Sequence, residues 1–510
     1  MNIWILLTIG AYLAMMILIG VYFSKKSKNN ADYYLGGRTL GPLVTAMSAE
    51  ASDMSSWLLM GLPGVALAAG LAEATWTAVG LAIGTYVNWL IVAKRIRIYS
   101  NRINAVTIPE FFSRRFGDKK GILSLVSAII IVVFFIPYTA SGFNACGTLF
   151  NSLSGGKIPY FTAMLVSAVV IIAYTALGGF LAASTTDLIH SIVMSIALIV
   201  VVLFGIQYSG GWDAVTANAH NLPSFLELTS TYDYKTGGTA DYGLLTILST
   251  LAWGLGYFGM PHILLRFMAI KDSNKLKTSR RIASVWVVIS MGVAILIGVV
   301  GCATVTNGSI VLDPGDGQRV IIEIAKKISE SGIGFALLAG IILAGILAST
   351  MSTADSQLLA ASSSVSQDLL INVFKLKIDN KKQMIISRLS IILIAVIAII
   401  WARKEDSVFK IVSFAWAGFG AAFGPVVLFA LFWKRTTKWG ALAGMISGGA
   451  MVFIWKYIIA AKLGGIFAIY ELLPAFVFAC IVIVIVSLAT GTPNKEITDT
   501  YDEVRKAIKE

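Results

Sequence analysis

Charge is scarce in this chain. Only 13% of its 510 residues are Asp, Glu, Lys or Arg, against 57% hydrophobic residues and a mean hydropathy of +0.80. A soluble protein must present a wetted polar surface, so water is excluded as the main solvent. Cysteine and histidine are nearly missing too, with three of each. Cys146, Cys302 and Cys480 each lie in an apolar run and none stands in a CxxC or Cys/His spacing, which leaves neither a disulfide framework nor a zinc site. No P-loop, nucleotide cassette, catalytic triad or metal-hydrolase motif occurs. ATP-driven transport and membrane enzymology lose their support, and the protein is expected not to be an enzyme.

Apolar sequence abounds instead, in runs long enough to cross a bilayer, which takes about 20 residues per helix. About thirteen such runs follow one another between residues 3 and 489. The expected fold class is therefore an all-α polytopic membrane protein, one transmembrane domain over 1–490 with a short tail over 491–510. The first run, 3–23, is too long for a signal-peptide core and reads as a retained span. Basic residues cluster in alternate loops: Lys25, Lys26 and Lys28; Lys94, Arg95, Arg97 and Arg102; Lys271, Lys275 and Lys277; Lys375, Lys377, Lys381 and Lys382; Lys434, Arg435 and Lys438. The positive-inside rule makes that side cytoplasmic, which puts the N-terminus outside and the C-terminus inside. These clusters also account for the formal net charge of +13 through lipid headgroups, without nucleic acid.

Two runs five apart, 41–68 and 243–268, are interrupted by Gly and Pro: Gly61-Leu62-Pro63-Gly64 in one, Gly254, Gly256, Gly259 and Pro261 in the other. Interrupted helices at matching places in two halves point to an inverted-repeat transporter with its site near the midplane, here with repeats over about 41–206 and 243–432. A channel is less suited to that pattern. The first of these runs also holds Ser48-Ala49-Glu50-Ala51-Ser52-Asp53, two acids inside an apolar span. Ionisable groups there cost several kcal/mol unless paired, hydrated or ion-bound, which marks Asp53 as functional. Glu50, three residues earlier on nearly the same helix face, admits a functional and a structural reading equally.

A second polar block, Ser349-Thr350-Met351-Ser352-Thr353-Ala354-Asp355-Ser356, closes the ninth run. Hydroxyl oxygens suit a hard cation such as sodium, although Ser and Thr also glue helices together. A break in the second span near Ala51 to Met54 would free carbonyls to complete an oxygen cage with Ser352 and Thr353. Trp253, Tyr257 and Pro261 recur at a spacing of four and are read either as helix packing or as the wall of a small-solute pocket. Arg38, Asp187, His190 and Arg266 each admit a structural and a gating role.

The segments Tyr34-Leu35-Gly36-Gly37-Arg38, Ala51-Ser52-Asp53-Met54-Ser55 with Trp57 to Gly64, Trp253 to Gly259 with Pro261-His262-Ile263, Met351-Ser352-Thr353, and Ser413 to Pro425 resemble the sodium/solute symporter family, nearer its proline branch than its pantothenate, sugar or iodide branches. The likeness runs over nearly the whole chain. It implies a leucine-transporter-like 5+5 core with one extra N-terminal and two extra C-terminal helices. It also implies import of L-proline with sodium by alternating access, in a bacterial-type inner membrane, with no obligate protein partner. Sodium would take the carbonyls of Ala51, Met54 and Ser349 and the hydroxyls of Ser352 and Thr353, with Asp53 supporting its affinity. Proline would lie beside Ser55, Trp57, Tyr138, Trp253, Tyr257 and Pro261, with Arg38 and Asp187 acting on coupling or gating. The chain departs from the family's pattern at Glu50, Ser56 and Ser349, where smaller residues are expected. Uptake of another small amino acid or carboxylate is the alternative. A transporter-like sensor is a further one, for which the tail is expected to be too short.

Overall fold

In a bilayer no water is available to the backbone, so each apolar run must close its hydrogen bonds within itself, and helices result. The computed structural model describes residues 2–24, 30–376, 378–404 and 406–509. Among these, ten helices are long and apolar enough to cross a membrane, or eleven when the pair Leu244–Gly259 and Pro261–Ala269, bent by 48°, is taken as one span. The sequence count of about thirteen differs at two places, each with a physical cause. Residues 42–69 form three consecutive pieces, Pro42–Ser56, a wider π-turn over Trp57–Gly61, and Leu62–Ala69, none long enough alone. Tyr160–Tyr208 is one run of 49 residues made of two helices joined without a loop. Straight, it would rise about 74 Å, more than twice the hydrocarbon thickness. It is not straight. The Tyr174 hydroxyl meets that of Thr186, 12 residues on, a separation of about 18 Å along a continuous helix. The fold-back occurs at Gly179, whose φ of 67° and ψ of −172° suit glycine, and where a Cβ would press on the Tyr33 ring at 2.8 Å.

The two broken spans run in opposite directions through the bundle. Leu40, just before one, pairs with Ile270, just after the other, through Leu40 N–H to the Ala269 carbonyl at 3.2 Å and Lys271 N–H to the Leu40 carbonyl at 3.0 Å. Between them the Leu71–Val87 helix lies against the Ala252–Gly259 turns with almost no side chain intervening. A Cβ on Gly84 would strike the Gly254 carbonyl, and one on Gly254 would strike that of Gly80. The Ile333–Ser363 helix packs along both the fold-back pair and Pro42–Ser56. Leu18, Val166, Ile199, Val285, Leu393 and Ile485 are exposed on outward faces, as lipid contact requires.

The basic clusters gather at one end. Arg97 donates to the Ile270 carbonyl at 2.7 Å, Arg115 to that of Ala430 at 2.8 Å, and Lys94 to that of Ile508 at 3.1 Å. Lys25, Lys26, Lys28 and Lys377 lie outside the described residues. The expected short tail is an ordered amphipathic helix, Lys495–Lys509, fastened to this end by Arg102–Glu503 at 2.5 Å, by Lys434–Asp502, and by the buried Tyr501 ring under the Arg115 guanidinium. The opposite end carries a short helix, Trp212–Asn221, and a hairpin pairing Ser230–Asp233 with Gly238–Asp241.

Candidate functional site

The Pro42–Ser56 helix ends at Ser55, which holds φ 46° and ψ −170°. A non-glycine residue at positive φ costs of order 1–3 kcal/mol and persists only where its surroundings over-determine it. Ser55 Oγ accepts from Trp57 N–H at 3.1 Å, which restarts the chain as a π-turn. The break sits slightly later than the Ala51–Met54 expectation. Just before it, the Ala51 carbonyl accepts from Ser352 Oγ at 2.8 Å and from Thr353 Oγ1 at 3.4 Å, and the Ser349 carbonyl accepts from Ser352 Oγ at 3.1 Å. Ser349 Oγ itself turns back to the Ile346 carbonyl at 2.8 Å. Ala51, Ser349, Ser352 and Thr353 therefore share one buried, hydrogen-bonded cluster of oxygens between two spans. The Met54 carbonyl, at the break, accepts from Trp57 N–H.

Asp53 is held from the far side. Tyr257 donates to its Oδ2 at 2.5 Å and Tyr138 to its carbonyl at 3.0 Å. The first bond is to a carboxyl oxygen and the second to a neutral main-chain carbonyl, the latter contributing about 0.5–1.5 kcal/mol, and together the two tyrosines tie the break to the seventh and fourth spans. Asp53, Met54, Trp57, Tyr138 and Trp253 line a small cavity of about 10 Å³, together with Leu81, Val412 and Trp416. That is room for about one water. Trp416 donates to the Trp253 carbonyl at 2.7 Å and stands edge-on to Tyr257. Phe409 lies 6.2 Å from Trp57 and 5.3 Å from Trp253, ring to ring, and closes the cavity from a cleft of about 530 Å³ at the end opposite the basic clusters. Pro261 is not on the cavity wall; it starts the helix after the second break, where its missing N–H costs nothing.

One turn toward the basic end, Asp187 and Arg266 form a fully buried ion pair at 3.4 Å. Ser48 donates to Asp187 Oδ2 at 2.6 Å and accepts from Arg266 Nε at 3.0 Å, while Arg266 also reaches Ser356 and the His262 carbonyl. Four spans meet there. Arg38 lies nearer the surface, donating to the carbonyls of Met268 at 2.6 Å and Ala105 at 2.7 Å and to Ser100 at 3.1 Å. It staples loops at the basic end and does not touch Asp187. His190 pairs with the Tyr12 hydroxyl at 2.6 Å.

Sequence reasoning did not single out Leu81, Val412, Phe409, Thr85, Asn88 or Trp89. Trp416 lies in a quoted segment but nothing in its spacing tied it to Trp253. Glu50, left between two readings, accepts from Trp89 Nε1 at 2.8 Å and Thr85 Oγ1 at 3.1 Å.

The family model of the sodium:solute symporter family matches residues 33–448. The chain belongs to that family. The "High-affinity proline transporter PutP" of Bacillus subtilis (strain 168) is 41% identical over 97% of this chain and 100% of its own. The "Sodium/proline symporter" of Haemophilus influenzae is 44% identical over 99% of this chain and 98% of its own. A sodium-coupled sialic acid symporter, solved in a substrate-bound outward-open state, superposes with a TM-score of 0.77 at 18% identity over 97% of this chain and 99% of that one. Mhp1, a nucleobase-cation-symport transporter, gives 0.56 at 14% identity over 93% and 99%. These two share the fold. The symporter is thus a multi-pass membrane protein of a sodium-coupled transport family, with sodium as the co-transported ion.

Proposed function

We propose that the symporter imports L-proline together with sodium, by alternating access, across a bacterial inner membrane with its N-terminus outside and its C-terminus inside. The observation that carries this reading is the convergence of Ser352 and Thr353 on the Ala51 carbonyl beside the break at Ser55. Three oxygen atoms already meet at one buried point, and a hard, weakly held cation takes oxygen ligands. Sodium there would draw on the Ala51, Met54 and Ser349 carbonyls and on both hydroxyls, which rotate from donating to Ala51 to facing the ion. Asp53 adds negative potential without needing to be a ligand.

The proline site would be the aromatic cavity of Trp57, Tyr138 and Trp253, widened from its one-water volume as the solute enters, with Tyr257 and Ser55 at its edge and Pro261 shaping it indirectly. A cyclic imino acid offers an apolar ring for indole faces, and its carboxylate suits the positive end of the half-helix that restarts at Trp57. Coupling requires that each ligand favour the conformation the other favours. Sodium that holds the Ser55 break fixes Asp53, through Tyr138 it fixes one wall of the proline cavity, and through Tyr257 it ties the same residue to the second break. Phe409 would be the outer gate and the Asp187–Arg266 pair the inner one. The membrane potential then adds about 2.3 kcal/mol per charge at 100 mV. Strong identity to two proline transporters over the full chain favours proline over other small amino acids.

The test is purified protein in sealed vesicles. Labelled proline should accumulate only under an inward sodium gradient, and a panel of unlabelled amino acids should compete weakly. Accumulation without sodium, or stronger competition by another solute, would replace this reading.

A further inference from the structure

Trp253 lines the small cavity, and its main-chain carbonyl is held by Trp416. Among the described residues nothing hydrogen-bonds its indole nitrogen, so ring contacts alone place the indole. The most nearly parallel neighbour is Tyr470, 5.2 Å away and inclined by 22°, against 31° for Trp416, 36° for Trp57 and 46° for Phe409. Stacked rings attract one another beyond the area they bury. Tyr470 does not line the cavity; it stands against a residue that does.

Tyr470 is itself held on several sides. Its main-chain N–H donates to Ser249 Oγ at 2.6 Å, on the Leu244–Leu251 helix that leads into the second break. Its hydroxyl donates to the Ser413 carbonyl at 2.7 Å, one turn past Phe409 on the Val408–Phe432 helix. The neighbouring Glu471 pairs with Lys456 at 3.0 Å, and Trp455 donates to the Phe467 carbonyl at 3.1 Å. The segment that carries Tyr470 joins the Lys438–Ile454 and Leu472–Ala489 helices, and Gly464 and Gly465 turn it back at φ 58° and 53°. One tyrosine from a late connection thus reaches the indole of the second break, the helix before that break, and the helix that carries Phe409.

We infer that Tyr470 is a positioning residue for solute binding: it sets where the Trp253 indole stands, and so how closely the cavity fits its solute. The inference rests on the proposed proline site and deepens it. A cavity with room for about one water must widen to admit a cyclic imino acid. The Trp253 indole has to yield in that step, and a ring tied to both Ser249 and Ser413 limits how far it goes. Among the described residues no hydrogen bond or ring contact joins Tyr470 to Ala51, Asp53, Met54, Ser349, Ser352 or Thr353, so its loss falls on the solute and not on the ion.

The experiment is labelled-proline uptake by proteoliposomes, read as KM, kcat and the sodium concentration for half-maximal uptake. Tyr470→Leu and Tyr470→Met, made in parallel so that the result does not hang on one variant inserting, remove the ring and keep much of its bulk. Each should raise proline KM about fivefold, the worth of one aromatic pair, with kcat and half-maximal sodium changed by less than about twofold. Tyr470→Phe restores the ring without the hydroxyl and should bring KM back to within about twofold of the wild type. Tyr470→Leu added to Trp253→Ala should raise KM no further than Trp253→Ala alone, because the tyrosine acts through that indole. An unchanged KM in the Leu and Met variants overturns the inference, as does a Phe variant no better than they are, or losses that add in the double variant. A lower kcat and Tm with KM unmoved makes Tyr470 a packing residue and overturns it as well. No sodium-driven proline uptake by the wild type would instead defeat the underlying assignment of function.

Discussion

The two broken spans solve one geometric problem with different materials. The break in 42–69 uses a serine at positive φ and is flanked by carboxylates and freed carbonyls. The break in 244–269 uses Gly254, Gly256 and Gly259 in tight 3-10 turns and carries Trp253 and Tyr257. Oxygen and charge are concentrated in the first, aromatic surface and bare backbone in the second. On the proposed reading the first holds the ion and the second shapes the solute cavity, and the hydrogen bond from Tyr257 to Asp53 joins the two.

That division can be broken most severely at Asp53. Asp53→Ala should raise the sodium concentration for half-maximal uptake by about 100-fold, equivalent to roughly 2.7 kcal/mol, with a smaller change in proline KM at saturating sodium. Equal losses in both parameters would show that the two breaks do not divide the work. Next in size is Arg266→Ala, which leaves Asp187 charged, buried and unpaired. Removing one partner of such a pair costs about 3–5 kcal/mol of stability, visible as a lower Tm in detergent, and Asp187→Ala added to it should restore most of the loss. A double variant no better than the single one would place the arginine's value outside the pair. The smallest effect belongs to Trp253→Ala. Loss of one indole wall should raise proline KM about tenfold, roughly 1.4 kcal/mol, and leave sodium activation within a factor of two. A shift in sodium activation as large as the shift in KM would erase the distinction between the breaks.

Much of this was legible in the sequence because the bilayer enforces it. Apolar length fixes where spans lie, and acids such as Asp53 stand out because hydrocarbon tolerates them so poorly. The Ser352 and Thr353 hydroxyls were legible for the same reason, as polarity out of place. What stayed hidden depends on contacts between distant segments. Phe409 and Trp416 look like ordinary apolar residues in an apolar helix, and only packing brings them to Trp253. Asn88 and Trp89 carry no signal until a π-turn aims both inward. The fold-back at Gly179 is one glycine among 47, and the ordered helix at 495–509 is short, charged and outside the apolar pattern that guided the rest.

Where Gly80 and Gly84 meet Gly254, one main chain rests directly on another. Helices ordinarily lock through ridges seated in grooves, and here there are no ridges to seat. The joint is a plain seat with no teeth, main chain set on main chain, and it leaves no width for a side chain on either face. A single methyl group at any of these three positions would fall 2.2–2.6 Å from a facing carbonyl and prise the two segments apart, carrying Trp253 with them.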